Sequence, residues 1–269
     1  MTTLKESLVN SGIITKKESF LVPKSFDVVG DIAIFNFFPE ELKSKEKRIA
    51  ECLLKLHKNI KVVAKKSGKY SGRLRKPKIA ILAGEKRRET THKESGCTFK
   101  LDIEKCYFST RTGTERIRIA KQIKKGESVL VMFSGVGAFP IIISKNSKAK
   151  EIYGVELNKI AHKYAQENIK LNKADNVSLF QGNVKKITPK IKKKFDRILM
   201  PLPKTAENYI PLALKYLKQK GTIHLYSFAK EKEFNEIKER YKKKFKSVKI
   251  IKAGNYSPRV YRICLDLKA

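Results

Sequence analysis

From about residue 128 to the C-terminus, short apolar runs alternate with segments of helical periodicity. The apolar runs predict strands, which we place at 128–133, 152–157, 178–182, 196–200, 221–228, 247–253 and 260–267. The periodic segments predict helices at 138–146, 158–171, 184–191, 206–218 and 231–244. This alternation indicates a mostly parallel sheet with helices on both faces. The segment 254–259 is too short for a crossover, so the last two strands are predicted to be antiparallel.

The first 105 residues have a different pattern. They predict a strand at 28–37, a helix at 44–60, and further strands at 60–66, 78–83 and 98–103. We therefore expect two domains, a smaller α+β domain over residues 1–105 and an α/β domain over residues 106–269.

The segment from Ser128 to Asn158 has the layout of a nucleotide-binding half-domain. Gly135 and Gly137 lie in the turn after the first of these strands, and Glu156 ends the next strand. Such glycines let the backbone approach a ligand, and an acid at the second strand end binds ribose hydroxyls. The third glycine of a dinucleotide motif is absent, which favours S-adenosyl-L-methionine over NAD. A tight turn that binds no cofactor is the alternative.

The charge of the chain predicts a polyanionic partner. Lys and Arg number 61 against 26 Asp and Glu, for a net charge of +35, and binding to phosphates releases condensed counterions. The densest basic stretch, at 65–78, contains Tyr70 and is suited to phosphates and a stacked base, although a solvated hairpin tip is an equal alternative. Heat adaptation or an anionic membrane surface would also explain the excess charge, but nucleic acid is the preferred reading.

The cysteines and histidines show no metal-binding spacing. Four cysteines lack any C-x-x-C pair, so we expect buried thiols in a reducing compartment and no metal site. With no apolar stretch of about 18 residues and no signal-peptide core, we expect a soluble, cytoplasmic protein without membrane contact. A monomer is favoured, although the sequence leaves the oligomeric state open.

Several blocks resemble the archaeal and eukaryotic tRNA methyltransferases that modify N1 of guanosine 37. YFSTRTGTER (107–116) resembles a YFSPRLATER-like element of that family, and FSGVGAFPI (133–141) resembles its FAGVGPFSI turn. Residues 72–96 resemble its LAGE segment, and NYSPRVYRICLDL (255–267) resembles its closing hairpin. The resemblance covers about residue 26 to the end. It implies a class I, Rossmann-like methyltransferase: a mostly parallel seven-stranded sheet with an antiparallel C-terminal hairpin, preceded by an α+β RNA-binding domain.

The resemblance also implies roles for single residues. Glu115 is the expected general base for the N1 proton, and Arg75 the expected partner of guanosine O6. The expected cofactor contacts are Tyr107, Arg116, Phe133, Gly135, Gly137, Glu156, Leu157, Asn183, Val184, Pro201 and Pro203. The alternatives are a surface ion pair of Glu115 with Arg116 or Arg118, phosphate binding by Arg75, and a core position for Tyr107.

Two departures from the family pattern affect the expected substrate. The Asn-Leu-Pro of the family is replaced by Pro201-Leu202-Pro203, and an extra N-terminal domain that grips the tRNA is expected to be missing. The first departure suggests the archaeal branch that also methylates C7 of 4-demethylwyosine. The expected partner is the tRNA anticodon stem-loop, and no DNA. Aminocarboxypropyl transfer in the wyosine pathway and a non-catalytic RNA-binding protein on this scaffold remain alternatives.

Overall fold

The computed structural model describes residues 3–68, 78–202 and 204–269 of the chain. Tyr70, Arg75 and Pro203, which the sequence singles out, lie outside the described residues. The chain divides into two units. The N-terminal unit comprises Met1–Lys93 and Lys100–Thr110, and the C-terminal unit comprises Glu94–Phe99 and Arg111–Ala269.

The N-terminal unit contains a small sheet against which a helix packs. Its helices are α1 (Leu4–Asn10) and α2 (Glu46–Leu56), and its sheet has the order β1 (Asp27–Val29), β2 (Ile32–Phe35), β3 (Val62–Lys66) and β4 (Ile79–Gly84). The pair β2–β3 is parallel and its neighbours are antiparallel. Apolar residues of α2 and the sheet, among them Leu53 and Phe35, form the core. The strands β5 (Glu89–Glu94) and β6 (Cys97–Asp102) form a separate hairpin, in which the chain passes between the units.

One predicted strand of this unit is wrong. The segment 28–37 belongs to two short antiparallel strands, β1 and β2, joined by a turn at Gly30 and Asp31. Gly30 has a φ of +58°, and an added Cβ would lie 2.1 Å from Thr90 Oγ1, so glycine is required there. Apolar alternation continues on both sides of this turn, which is why the pattern alone does not reveal it.

The C-terminal unit is built on a seven-stranded sheet with the order β12-β13-β11-β10-β7-β8-β9. The strands are β7 (Ser128–Met132), β8 (Glu151–Glu156), β9 (Val177–Gln181), β10 (Phe195–Met200), β11 (Leu217–Lys230), β12 (Ser247–Ser257) and β13 (Val260–Lys268). The helices are α3 (Gly113–Gln122), α4 (Ala138–Asn146), α5 (Lys159–Asn172), α6 (Val184–Ile191), α7 (Ile210–Tyr216) and α8 (Phe234–Lys242). The strands from β11 to β9 are parallel, and β13 pairs antiparallel with both β11 and β12. The predicted fold class is confirmed.

The strand register places four residues at the carboxyl edge of the sheet. One row of the sheet contains Met132, Val155, Met200 and Leu225. The next residues along these strands are Phe133, Glu156, Pro201 and Tyr226. The strand order reverses at β7, since β8 lies on one side and β10 on the other. Ligands of open α/β sheets bind outside the carboxyl ends of the strands at such a switch point, so this edge is the place to look for a site.

Two further sequence-based expectations concern single residues and helices. All four cysteines are buried thiols, as the sequence predicts. Within the described ranges, no helix combines the length and the hydropathy needed to span a bilayer.

Candidate cofactor and catalytic site

The turn from Phe133 to Gly137 carries the chain from β7 into α4 with an unusual backbone. Phe133, Gly135 and Gly137 all have positive φ, at 63°, 59° and 86°. Phe133 pays a steric cost that glycine avoids, and such strain is typical of functional turns. Gly137 is the residue before the first turn of α4, where unpaired N–H groups and the helix dipole favour a polar ligand.

Glu156 lies beside this turn and is held by backbone N–H groups. Gly135 N donates to Oε2 at 2.8 Å, and Asn158 N donates to Oε1 at 2.6 Å. Burial raises the pKa of Glu156, and these hydrogen bonds oppose the effect. A carboxylate can accept about four hydrogen bonds, so Glu156 keeps capacity for hydroxyl donors of a ligand. Free carboxylate lone pairs are the acceptors that the hydroxyl groups of a ribose require.

A second polar group in the turn is available to a ligand. Among the described residues, the buried Ser134 hydroxyl has no hydrogen-bond partner. Buried hydroxyls are normally paired, so this group is suited to a ligand that completes the site. The turn and Glu156 therefore fit the predicted nucleoside cofactor.

The other predicted cofactor residues at this edge have structural contacts of their own. Asn183 caps the N-terminus of α6, and its Oδ1 accepts from Lys185 N at 3.0 Å, which leaves one lone pair for an adenine amino group. Val184 is buried in the core. Leu157 O accepts a hydrogen bond from Gln181 Nε2 at 3.3 Å.

Pro201 lies at the centre of a tight turn at the end of β10. Leu202 N donates to Met200 O at 2.8 Å, which closes a three-residue turn around the proline. In the same region the Phe133 ring packs edge-on against Tyr209, with ring centroids 5.0 Å apart, and Lys185 Nζ lies 5.4 Å from the Tyr209 ring. Two packed aromatic rings and a cation therefore lie next to the glycine turn.

Tyr107 and Arg116 belong to different units. Tyr107 is half-buried in the loop after β6. Arg116 is buried: its Nε donates to Glu94 Oε1 at 2.7 Å, its NH1 donates to Thr112 Oγ1 at 2.6 Å, and its guanidinium lies 5.9 Å from the Phe139 ring. These contacts give Arg116 a structural role, and cofactor contact by either residue stays a prediction.

Glu115 is buried, and its carboxylate is held by two side chains. Tyr226 O–H donates to Oε1 at 2.7 Å. Arg118 donates to Oε1 through NH2 at 2.8 Å and to Oε2 through Nε at 2.7 Å. The ion pair with Arg118 that the sequence suggested is therefore present, but its expected surface position is wrong. Oε1 uses both lone pairs, whereas Oε2 keeps one for a further donor.

A buried network continues from Arg118 into the sheet. Arg118 NH1 donates to Asp266 Oδ2 at 2.7 Å, and His224 Nδ1 lies 2.6 Å from Asp266 Oδ1. Arg197 NH1 lies 3.1 Å from His224 Nε2 and can only donate, so Nε2 is the acceptor and the proton is on Nδ1. His224 is thus neutral, and burial lowers its pKa. Burial alone would raise the pKa of Asp266. The pKa is lowered overall because His224 and Arg118 donate hydrogen bonds to the carboxylate.

His224, Cys264 and Asp266 also have a geometry compatible with a metal, since their ligand atoms lie within 4.8 Å of one another. The thiol of Cys264 and Nδ1 of His224 both donate to Asp266 Oδ1, at 3.4 and 2.6 Å. The guanidinium groups of Arg118 and Arg197 contact the same cluster and would repel a cation. The cluster is better explained as part of the hydrogen-bond network.

Sequence reasoning missed Tyr226 as a partner of Glu115, and it missed Asp266 and His224, which continue the network from Arg118. The signal present in the sequence is the spacing Glu115, Arg118, Gln122, which places polar side chains on one face of α3. Their partners on β11 and β13 follow only from long-range strand pairing, in which Tyr226 opposes Cys264 and His224 opposes Asp266.

The fold and the turn define an α/β methyltransferase, and comparison with family models is consistent with this class. The TRM5/TYW2 methyltransferase domain model matches residues 90–251, more than half of the chain, and the chain belongs to this family. A model of the TYW2 N-terminal domain matches residues 4–87. The similarity therefore begins at residue 4, earlier than the expected residue 26. The family assignment supports S-adenosyl-L-methionine as the cofactor.

Three individual relatives illustrate the similarity. The chain is 38% identical over 255 residues to the tRNA (guanine(37)-N(1))-methyltransferase Trm5b of Pyrococcus abyssi, covering 92% of this chain and 75% of that protein. It is 35% identical over 263 residues to the tRNA (guanine(37)-N(1))/4-demethylwyosine(37)-methyltransferase Taw22 of Nanoarchaeum equitans, covering 79% and 86%. The solved complex of aTrm5 and tRNALeu superposes with a TM-score of 0.86 at 32% identity, covering 99% of this chain and 78% of that chain.

Proposed function

We propose that this protein transfers the methyl group of S-adenosyl-L-methionine to N1 of guanosine 37 in the tRNA anticodon loop. The observation that carries the proposal is the hydrogen bond from Tyr226 to Glu115. This bond connects the Glu115 carboxylate, which keeps a free lone pair, to the end of the parallel part of β11. Glu156 and the glycine turn lie at the same edge of the sheet. The names of the relatives at 38% and 35% identity supply the substrate class.

The cofactor would be held by groups at the carboxyl edge. Glu156 would accept from the ribose hydroxyls, the Phe133–Gly137 turn would approach the nucleoside, and Asn183 would accept from the adenine amino group. When bound, S-adenosyl-L-methionine supplies a methyl group on a sulfonium sulfur, which is already a good leaving group. The protein therefore has to position the acceptor base and remove its proton.

Glu115 would accept the proton of guanosine N1. This nitrogen is a poor nucleophile while protonated, and a positioned base contributes about 10²–10⁴-fold to the rate. Tyr226 and Arg118 occupy Oε1 and one side of Oε2, so the proton would be taken by Oε2. Arg75, outside the described residues, stays the predicted partner of O6.

The target base must leave the loop to reach this edge. Unstacking a base costs a few kcal/mol and less in a single-stranded loop than in a duplex. The excess of positive charge, +35, favours binding of the RNA backbone and offsets that cost. A monomer in the cytoplasm is the form in which we expect the protein to act on the anticodon stem-loop.

A second candidate activity is methylation of C7 of 4-demethylwyosine. Pro201 replaces the asparagine of the family pattern and removes both a side-chain amide and a backbone N–H from the edge. The similarity to a relative named for both activities supports this candidate. Ring carbon C7 carries no N–H to be removed in the same way, so the demands on Glu115 differ between the two reactions.

Both candidates can be tested with defined RNA. The protein is incubated with labelled cofactor and tRNA transcripts that have guanosine or adenosine at position 37, and with tRNA containing 4-demethylwyosine. Of the two transcripts, we expect only the one with guanosine 37 to become labelled. We expect mass spectrometry to show that a methyl group has been added. A larger added group would indicate aminocarboxypropyl transfer, and a protein that fails to bind the cofactor in calorimetry would be a non-catalytic scaffold.

A further inference from the structure

The strands β11 and β13 extend beyond the carboxyl edge of the parallel sheet. Leu225 pairs with Met200, the last residue of β10, but pairing with β13 continues to Lys230 and Val260. At about 3.3 Å per residue, this extension projects roughly 16 Å past the edge. It forms a wall beside the row that contains Glu156 and Pro201.

One face of this wall continues the face that holds Glu115. Side chains two residues apart on a strand point to the same face, so Phe228 lies on the same side as Tyr226, about 7 Å farther along. Arg262 is directly opposite Phe228 on β13 and shares that face. An aromatic ring and a guanidinium therefore follow the Tyr226–Glu115 hydrogen bond toward solvent.

A second aromatic ring is brought onto Phe228 by an irregular hairpin. The register of β12 and β13 shifts between Lys252 and Asn255, and Gly254 has a φ of +124°. Bulges of this kind redirect side chains and are common next to active sites. The Tyr256 ring packs on Phe228 in a tilted arrangement, with centroids 4.0 Å apart and 31° between planes. Tyr256 remains 52% exposed, so a ring surface is presented to solvent.

We propose that Phe228, Tyr256 and Arg262 form a stacking surface for an unpaired nucleobase of the RNA substrate, next to the base that Glu115 deprotonates. The inference rests on the proposed function and assigns it a second contact. A loop that gives up one base loses stacking for the neighbouring base, and the exposed Tyr256 ring, packed on Phe228, replaces that partner. Arg262 supplies a planar cation suited to a phosphate or to a base.

The test uses the whole protein and a tRNA transcript with 2-aminopurine beside position 37, whose fluorescence falls when it stacks. The parent protein is expected to quench it, and Tyr256→Leu and Phe228→Leu are expected to quench less and to bind the RNA about 5- to 100-fold more weakly. Leucine keeps apolar area and removes the ring. Tyr256→Phe keeps the ring and is expected to behave as the parent.

The matched control is Leu171→Ala, which changes an exposed apolar residue near the end of α5. It is expected to leave quenching and RNA affinity unchanged. Parental quenching and affinity in Tyr256→Leu would overturn the stacking surface and leave the proposed function standing. Loss of quenching in Tyr256→Leu, with a parent that does not methylate guanosine 37, would support the surface and reject the reaction. A parent that does not bind the transcript would overturn both.

Discussion

Tyr226 and Glu115 are 111 positions apart in the chain, and the tyrosine hydroxyl donates to Oε1 of the glutamate at 2.7 Å. Tyr226 follows the last parallel pair of β11, and Glu115 lies in the first turn of α3. The bond therefore fixes the helix against the sheet at the edge where the glycine turn lies. Because Arg118 holds the other side of the carboxylate, Glu115 has one orientation and one open lone pair.

Glu115→Gln is expected to reduce the rate of methyl transfer by about 10²–10⁴-fold, because an amide cannot accept the N1 proton. Cofactor and RNA affinities should stay near the parental values, since the substitution is isosteric. Single-turnover rates with saturating tRNA measure the effect. Glu236→Gln, on the exposed surface of α8, is the control and should keep full activity. Parental turnover by Glu115→Gln would exclude Glu115 as the base.

Tyr226→Phe is expected to lower kcat about tenfold with KM values unchanged, because one hydrogen bond of about 1.5 kcal/mol no longer fixes the carboxylate. Tyr241→Phe is the matched control. Tyr241 donates to Glu207 Oε1, also at 2.7 Å, in a place that the mechanism does not use. Both variants should lose similar stability in urea, and only Tyr226→Phe should lose kcat. Equal kcat in the two would show that the Tyr226 bond is structural alone.

The local pattern of apolar and polar residues is sufficient to predict an element when that pattern is the same along the whole element. The strand β7 is buried at every position and was placed within a residue, and α4 and α6 were predicted with their observed bounds. The start of β11 was missed because Lys218, Gln219 and Lys220 are exposed and polar. The predicted helices at 206–218 and 231–244 are shorter, since each begins as a 3₁₀ turn.

The candidate site also has a part that the local sequence predicts and a part that it does not. Gly135, Gly137 and Glu156 lie in one local segment, so their proximity follows from a strand, a turn and a strand. The partners of Glu115 could not be predicted, because Tyr226 and Asp266 reach α3 only through the antiparallel pairing of β11 and β13. Their residue types are also ambiguous, since a tyrosine on a strand is more often a core residue and an aspartate is more often a surface residue.

Gly137→Ala is expected to weaken cofactor binding at least about tenfold. A non-glycine residue at a φ of +86° costs about 1–2 kcal/mol, and the added Cβ would lie 3.1 Å from Ile141 Cδ1 and 3.3 Å from Ala165 Cβ. Gly126→Ala is the control for backbone strain outside the candidate site, because Gly126 has a φ of +85° and an added Cβ would have nothing within 4 Å. Calorimetry should show parental cofactor affinity for Gly126→Ala. Equal affinity in Gly137→Ala would argue against the turn as the cofactor site.

Binding of tRNA is expected to weaken steeply with salt. For about five neutralised phosphates of a single-stranded region, the affinity should fall about 100-fold between 50 and 200 mM salt. The net charge of +35 is the physical reason. Titrations of a fluorescent anticodon stem-loop at four salt concentrations measure the slope. A flat response would remove the electrostatic basis of the RNA proposal.

The free energy of unfolding is expected to fall as the pH drops from 7 to 5.5, in part through His224. Its pKa is lowered in the folded state, so below about pH 6.5 the unfolded chain binds more protons and is favoured. His162, whose pKa is lowered by burial, acts in the same direction. The lowered pKa of Asp266 has the same sign at more acid pH, below about 4.

The groups that face His224 are Asp266, Arg197, Arg118 and Cys264. Asp266 favours the charged imidazole, whereas burial and the two guanidinium groups disfavour it, and the second effect prevails. His224→Gln can still donate to Asp266 and accept from Arg197, but it does not titrate. Urea unfolding at several pH values should therefore give a smaller slope for His224→Gln than for the parent. An unchanged slope would mean that His224 titrates in the folded protein as it does in the unfolded chain, and that its contacts with Arg197 and Asp266 do not keep it neutral.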